Sequence, residues 1–139
     1  MKEHFNKFVS VEMAKKLMRA GYPVFKYDVY NDGRPYFDIP EYGQDGWEEG
    51  DRYRIPTYAE VFDWFISNHI FITFTPTFTF ALKGKMSYTW MVSYPDIQEC
   101  KMVYHKSDEW SSLKLAMDDA IDFALGVEIP KIEDDTDLA

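Results

Sequence analysis

At 139 residues with 18 % aromatic side chains, the chain can bury a core of its own, which excludes a disordered polymer and a scaffold that needs metal or disulfide staples. A formal net charge of −9 disfavours direct nucleic-acid binding, because proteins that hold a polyanion usually present a basic face. A single cysteine, Cys100, rules out an internal disulfide, and no apolar run approaches the roughly 20 residues that a membrane helix needs.

Residues 1–9 read as a loose lead-in, in which Met1 to Phe8 is charged and lacks the apolar segment of a signal peptide, so the expected location is the cytoplasm. Ser10 can cap a helix over Val11 to Ala20, in which Ala14, Leu17 and Met18 share a face. Gly21 stops it, and Pro23 could not continue it. Val24 to Tyr30 reads as a half-buried strand, and Asn31-Asp32-Gly33 as a turn into a second strand, Arg34 to Ile39. Pro35 suits a sheet edge. The stretch Glu41 to Asp51 then forms an acidic loop around Trp47.

Thr57-Tyr58-Ala59-Glu60 is a capping box. The threonine oxygen can accept from the Glu60 amide while the glutamate reaches back to the Thr57 amide. The helix it opens runs to about Asn68. From Ile70 to Leu82, Ile72, Phe74, Phe78 and Phe80 alternate with four threonines, as in a strand with one apolar face. Pro76 places that strand at an edge or marks a bulge. Lys83-Gly84-Lys85 turns the chain into a strand over Met86 to Tyr94. Pro95-Asp96 turns it again into Glu99 to His105, with Cys100, Met102 and Tyr104 on one face. Ser107 reads as the cap of the last helix, with Asp108 and Glu109 in its first turn and Gly126 as its stop.

The predicted fold class is α+β. Its core unit is helix–strand–strand–strand–helix from Thr57 to Gly126, within an antiparallel sheet of three to five strands. The helices pack on the sheet, as two layers or as an α/β/α sandwich. Residues 1–129 form a single domain, and 130–139 an acidic tail expected to be disordered.

Little in the chain carries chemistry. His4, His69 and His105 lack ligand-like spacing, and His69 is expected against the end of the helix before it. Cys100 shares parity with Met102 and Tyr104 and is expected to be a buried thiol. Asp118, Asp119 and Asp122 are expected on a solvated helix face, and the acidic loop lacks the spacing of a calcium loop. No phosphate loop, nucleophile elbow or dinucleotide fingerprint is present. Hence no catalytic residue, no metal site and no cofactor is predicted.

The order of elements resembles that of double-stranded-RNA-binding domains, which read RNA with a basic cluster at the start of the last helix. Here Ser107-Asp108-Glu109-Trp110 would repel phosphate, so that function is set aside. A second resemblance rests on Pro56-Thr57-Tyr58-Ala59-Glu60-Val61-Phe62-Asp63-Trp64, on the run Ser107 to Leu125, and on the opening Val11 to Tyr22. These resemble uncharacterised small proteins of Bacteroidetes and their prophages, and are similar to phage α–β–α sandwich domains. The resemblance implies a phage or mobile-element origin and no known catalytic residues.

The function expected is a non-enzymatic binding or accessory protein that works by protein–protein contact. One alternative is a small-ligand-binding protein or enzyme with a pocket near the 41–54 loop, where Tyr42, Asp45, Trp47, Glu48 and Arg52 are the candidate binding residues. Another is an acidic mimic of nucleic acid that occupies another protein's basic site. Homo-oligomerisation through the Pro76 strand is a further expectation, since unpaired edges can pair between subunits.

Overall fold

A computed structural model describes residues 7–23, 36–38, 52–79 and 84–132. The chain divides into two compact units, Met1–Val61 and Phe62–Ala139.

In the first unit, α1 spans Val11–Arg19, and Ser10 caps it as expected: its Oγ accepts from the Met13 amide at 3.1 Å. Met13, Ala14 and Leu17 are its buried residues. The helix ends in a Schellman motif, in which Tyr22 N–H donates to Leu17 O and Gly21 N–H to Met18 O. Gly21, at φ +98°, supplies the left-handed residue that this closure requires.

Tyr36–Asp38 (β1) pairs antiparallel with Arg52–Arg54 (β2), as a two-stranded sheet separate from the main one. The expected return strand therefore pairs forward along the chain, across the acidic stretch. The expected partner, Val24 to Tyr30, lies outside the described residues.

Helix α2 spans Tyr58–Ser67. Its capping box forms as the sequence predicts: Thr57 N–H donates to Glu60 Oε1 at 3.0 Å and Glu60 N–H to Thr57 Oγ1 at 3.1 Å. Phe8 and Thr57 form an antiparallel bridge, in which Val9 N–H donates to Pro56 O and Tyr58 N–H to Lys7 O. The far end of α2 closes as a second Schellman motif: Ile70 N–H donates to Phe65 O, and His69 N–H to Ile66 O. His69 meets the helix end as expected, but through its backbone, at φ +63°.

The second unit is built on three antiparallel strands, Phe71–Thr79 (β3), Lys85–Asp96 (β4) and Lys101–Lys106 (β5), in the order β3-β4-β5. Pro76 sits in continuous register opposite Tyr88, without a bulge, and among the described strands β3 is an edge of this sheet. The register puts Phe74 opposite Trp90 and Val92 opposite His105, hence all four on one face.

Helices cover that face. Phe62 of α2 lies 5.4 Å from the Phe74 ring, and Phe123 lies 5.0 Å from the Trp90 ring. Phe123 belongs to α3, Leu113–Leu125, whose buried residues are Ala116, Met117, Ala120, Ile121 and Ala124. The unit is thus a two-layer α+β arrangement with both helices on one side of the sheet. Val92 and Ile121 are fully buried, and each such side chain stabilises by about 1.5–3 kcal/mol relative to exposure.

Three expectations are corrected here. Pro95 and Asp96 do not turn the chain: they pair with Met102 and Lys101, and the turn is Ile97 to Cys100, where Asp96 Oδ1 accepts from the Gln98 and Glu99 amides. Cys100 is not a buried thiol: it stands exposed in that turn at φ +51°, with Sγ donating to Ile97 O. Ser107 does not cap the last helix: Ser112 does, accepting from the Leu115 amide at 3.1 Å.

Ser107 instead serves the sheet. Met91 pairs with Lys106, and Tyr88 bridges to Trp110, so Ser107 to Glu109 stand opposite only Thr89 and Trp90. This is a bulge, and Ser107 Oγ fills the ladder by accepting from the Trp90 amide at 2.8 Å.

Candidate binding surfaces

Of the residues singled out in the acidic loop, Tyr42, Asp45, Trp47 and Glu48 lie outside the described residues. Arg52 is in β2, in register with Asp38. Two features of the second unit present themselves for binding.

The first is a cleft of about 820 Å³ between the β4–β5 turn and the segment after α3. Tyr94, Ile97, His105, Phe123 and Ile129 are among its lining. His105 lies flat on Tyr94, with ring centroids 5.7 Å apart and planes 20° apart, and the Tyr94 hydroxyl is 3.1 Å from His105 Nε2. Phe123 closes the other side, 4.8 Å from the imidazole. The packing follows from sequence: His105 and Tyr94 project to the helix-covered face from neighbouring strands, and α3 brings Phe123 over them. The histidine is held between the rings of Tyr94 and Phe123, with the Tyr94 hydroxyl at its Nε2. The charged side chains in its lining are Asp96, Glu128 and Lys131.

The second is the face of the sheet opposite the helices. Phe71 lies opposite Ser93, Ser93 opposite Tyr104, and Thr73 opposite Met91, while Met102 lies opposite Pro95. Phe71, Met91, Met102 and Tyr104 are all exposed large hydrophobic residues, Tyr104 at 62 %. Thr73 and Thr75 are exposed beside them. Sequence alternation shows which parity carries the threonines. It does not show that neighbouring strands bring Met91, Met102 and Tyr104 beside Phe71 on the same face, because that depends on register.

Among the described residues, no group of three or more His, Cys, Asp or Glu could hold a metal ion. No described helix is long and apolar enough to cross a membrane. No protein-family model, no curated protein and no solved structure matches this chain.

Proposed function

We propose that the chain is a non-enzymatic binding protein that acts by protein–protein contact, with the open face of β3, β4 and β5 as its contact surface. The observation that carries this reading is the grouping of Phe71, Met91, Met102 and Tyr104, all exposed, on one side of one sheet. Contiguous exposed apolar surface marks interaction sites, and tyrosine and methionine are enriched in interfaces over the rest of the surface. The flanking threonine hydroxyls supply hydrogen-bonding groups for a polar rim. The phage or mobile-element origin implied by Pro56 to Trp64 and Ser107 to Leu125 belongs to the same proposal and rests on those residues.

The test compares the wild-type chain with the double variant Met91→Glu, Tyr104→Glu as baits in a lysate of the source cells. A protein that copurifies in stoichiometric amount with the wild type and is lost from the variant is the expected result. Identical capture by both baits refutes the assignment of this face. Light scattering at rising concentration runs in parallel, and a mass that doubles would make the partner a second copy of this chain.

A further inference from the structure

The order β3-β4-β5 leaves β3 and β5 each with one neighbour among the described strands, so this sheet has edges as well as a face. Main-chain bonds fix what each edge presents. Trp90 and Tyr88 turn their main chain to the β5 side of β4: Ser107 N–H donates to Trp90 O at 2.9 Å, and Trp110 N–H to Tyr88 O at 2.7 Å. Antiparallel pairs alternate between those that exchange main-chain bonds and those that do not. Val92, Tyr94 and Asp96, in step with Trp90, are therefore the residues that bond to His105, Val103 and Lys101. The pairs between them exchange none, so Met102, Tyr104 and Lys106 turn their N–H and C=O groups to the outer edge. Among the described residues, no main chain from outside the sheet bonds to them.

The two edges differ. By the same alternation Pro76, opposite Tyr88, turns its ring nitrogen to the outer edge of β3, so that edge lacks a donor midway. The β5 edge has no such gap. It is also open: Tyr104 is 62 % exposed and Met102 38 %, and Lys101 and Lys106 are exposed at its two ends.

Charge selects the occupant. β5 carries Lys101 and Lys106 and no carboxylate. On the open face of the three strands the charged residues are Lys85 and Lys106, in a chain whose net charge is −9. Asp96, opposite Lys101, directs Oδ1 to the Gln98 and Glu99 amides. Lysine on an edge repels another basic strand and draws an acidic one. A second copy of β5 would bring its own lysines to the junction.

We infer that the outer edge of β5 takes an extended peptide as an added strand, antiparallel to β5, of the pattern acid–x–apolar–x–apolar–acid. The first acid stands opposite Lys106, the apolar residues opposite Tyr104 and Met102, and the last acid opposite Lys101. Main-chain bonds supply the affinity, and the alternate side chains the specificity. The inference deepens the reading of the sheet as a contact surface and rests on it, since Met102 and Tyr104 belong to both face and edge.

The experiment measures amide hydrogen exchange in ¹⁵N-labelled protein at rising concentrations of a capped hexapeptide: glutamate, threonine, valine, threonine, valine, glutamate. A peptide with lysine at both ends is the control. The expected result is a saturable slowing at the Met102, Tyr104 and Lys106 amides with the acidic peptide, and a weaker effect with the basic one. N-methylation of both valines, whose N–H groups point at β5, should abolish the effect, and N-methylation of both threonines should not. Lys106→Glu should weaken the acidic peptide about tenfold, as an opposite-charge pair becomes a like-charge one, and should favour the basic peptide. Protection at Val103 and His105, which bond to β4, reports that the strand is intact in the variant.

Absence of slowing overturns the inference, as do equal slowing by both peptides and indifference to valine methylation. Slowing that grows with protein concentration alone would seat a second copy on the edge and overturn it equally. Lysate capture that depends on Met91 and Tyr104, together with peptides that fail to bind, removes the edge and leaves the face. Failure of both measurements removes both.

Discussion

Trp90 Nε1 donates to Asp119 Oδ2 at 2.7 Å, tying the central strand of the sheet to the middle of α3. The two residues are far apart in sequence, and the bond is short because its acceptor is a carboxylate. Trp90 is 6 % exposed, so its indole N–H has little access to water once that partner is gone. Asp119→Ala should therefore destabilise the protein by about 1–3 kcal/mol, the cost of stranding a buried donor. Asp119→Asn keeps an acceptor oxygen and should cost less. Asp122, exposed on the same helix, is the comparison, and Asp122→Asn should cost less than Asp119→Ala, at most about 1 kcal/mol. Urea unfolding of the three variants decides, and equal midpoints for Asp119→Ala and Asp122→Asn would rule out the tie.

Ser112, and not Ser107, caps α3, and the two serines serve different amides. Ser112 caps α3 through the Leu115 amide, so Ser112→Ala should cost about 1 kcal/mol and speed hydrogen exchange at Leu115. Ser107 serves the Trp90 amide, so Ser107→Ala should cost about 1–3 kcal/mol and speed exchange at Trp90 instead. The site of faster exchange is the measurement. Faster exchange at the α3 amides in Ser107→Ala would restore Ser107 as the helix cap.

What the sequence makes legible here is what is local. The capping box needs only Thr57 and Glu60, three residues apart, and it forms as read. The alternation of β3 survives because Pro76 lies on an edge, where a missing N–H breaks no ladder. What is hidden depends on distant partners. Ser107 followed by Asp108 and Glu109 has every local mark of a helix start, but the Tyr88–Trp110 bridge claims that segment for the sheet. The parity argument for Cys100 fails because it carries the strand's alternation across a residue that belongs to the turn. Asp119 looks like part of a solvated face until Trp90 is placed beside it.

The two Schellman closures use different residues at the left-handed position, and this makes a paired prediction. Gly21 adopts φ +98° at no side-chain penalty, and a Cβ there would meet nothing within 4 Å. Gly21→Ala should therefore cost about 1–2 kcal/mol from backbone conformation alone. His69 adopts φ +63° with a Cβ in place, so His69→Gly should relieve strain and stabilise by up to about 1 kcal/mol. Thermal unfolding should move the two variants in opposite directions. A loss of stability in His69→Gly would mean that the imidazole contributes more than its backbone strain costs.

Cys100 tests the turn between β4 and β5. The thiol is exposed, so a disulfide reagent of small size should label one equivalent in the native protein, without denaturant. A buried thiol on the strand would react only as the protein unfolds. The left-handed backbone at φ +51° adds a second readout. Asparagine and glycine tolerate that conformation better than other residues, so Cys100→Asn and Cys100→Gly should match or exceed the wild type in stability, by up to about 1 kcal/mol. Cys100→Val should fall below both, because a β-branched side chain is poorly accommodated at positive φ. Slow labelling combined with a preference for valine would return Cys100 to the strand and shift the start of β5 with it.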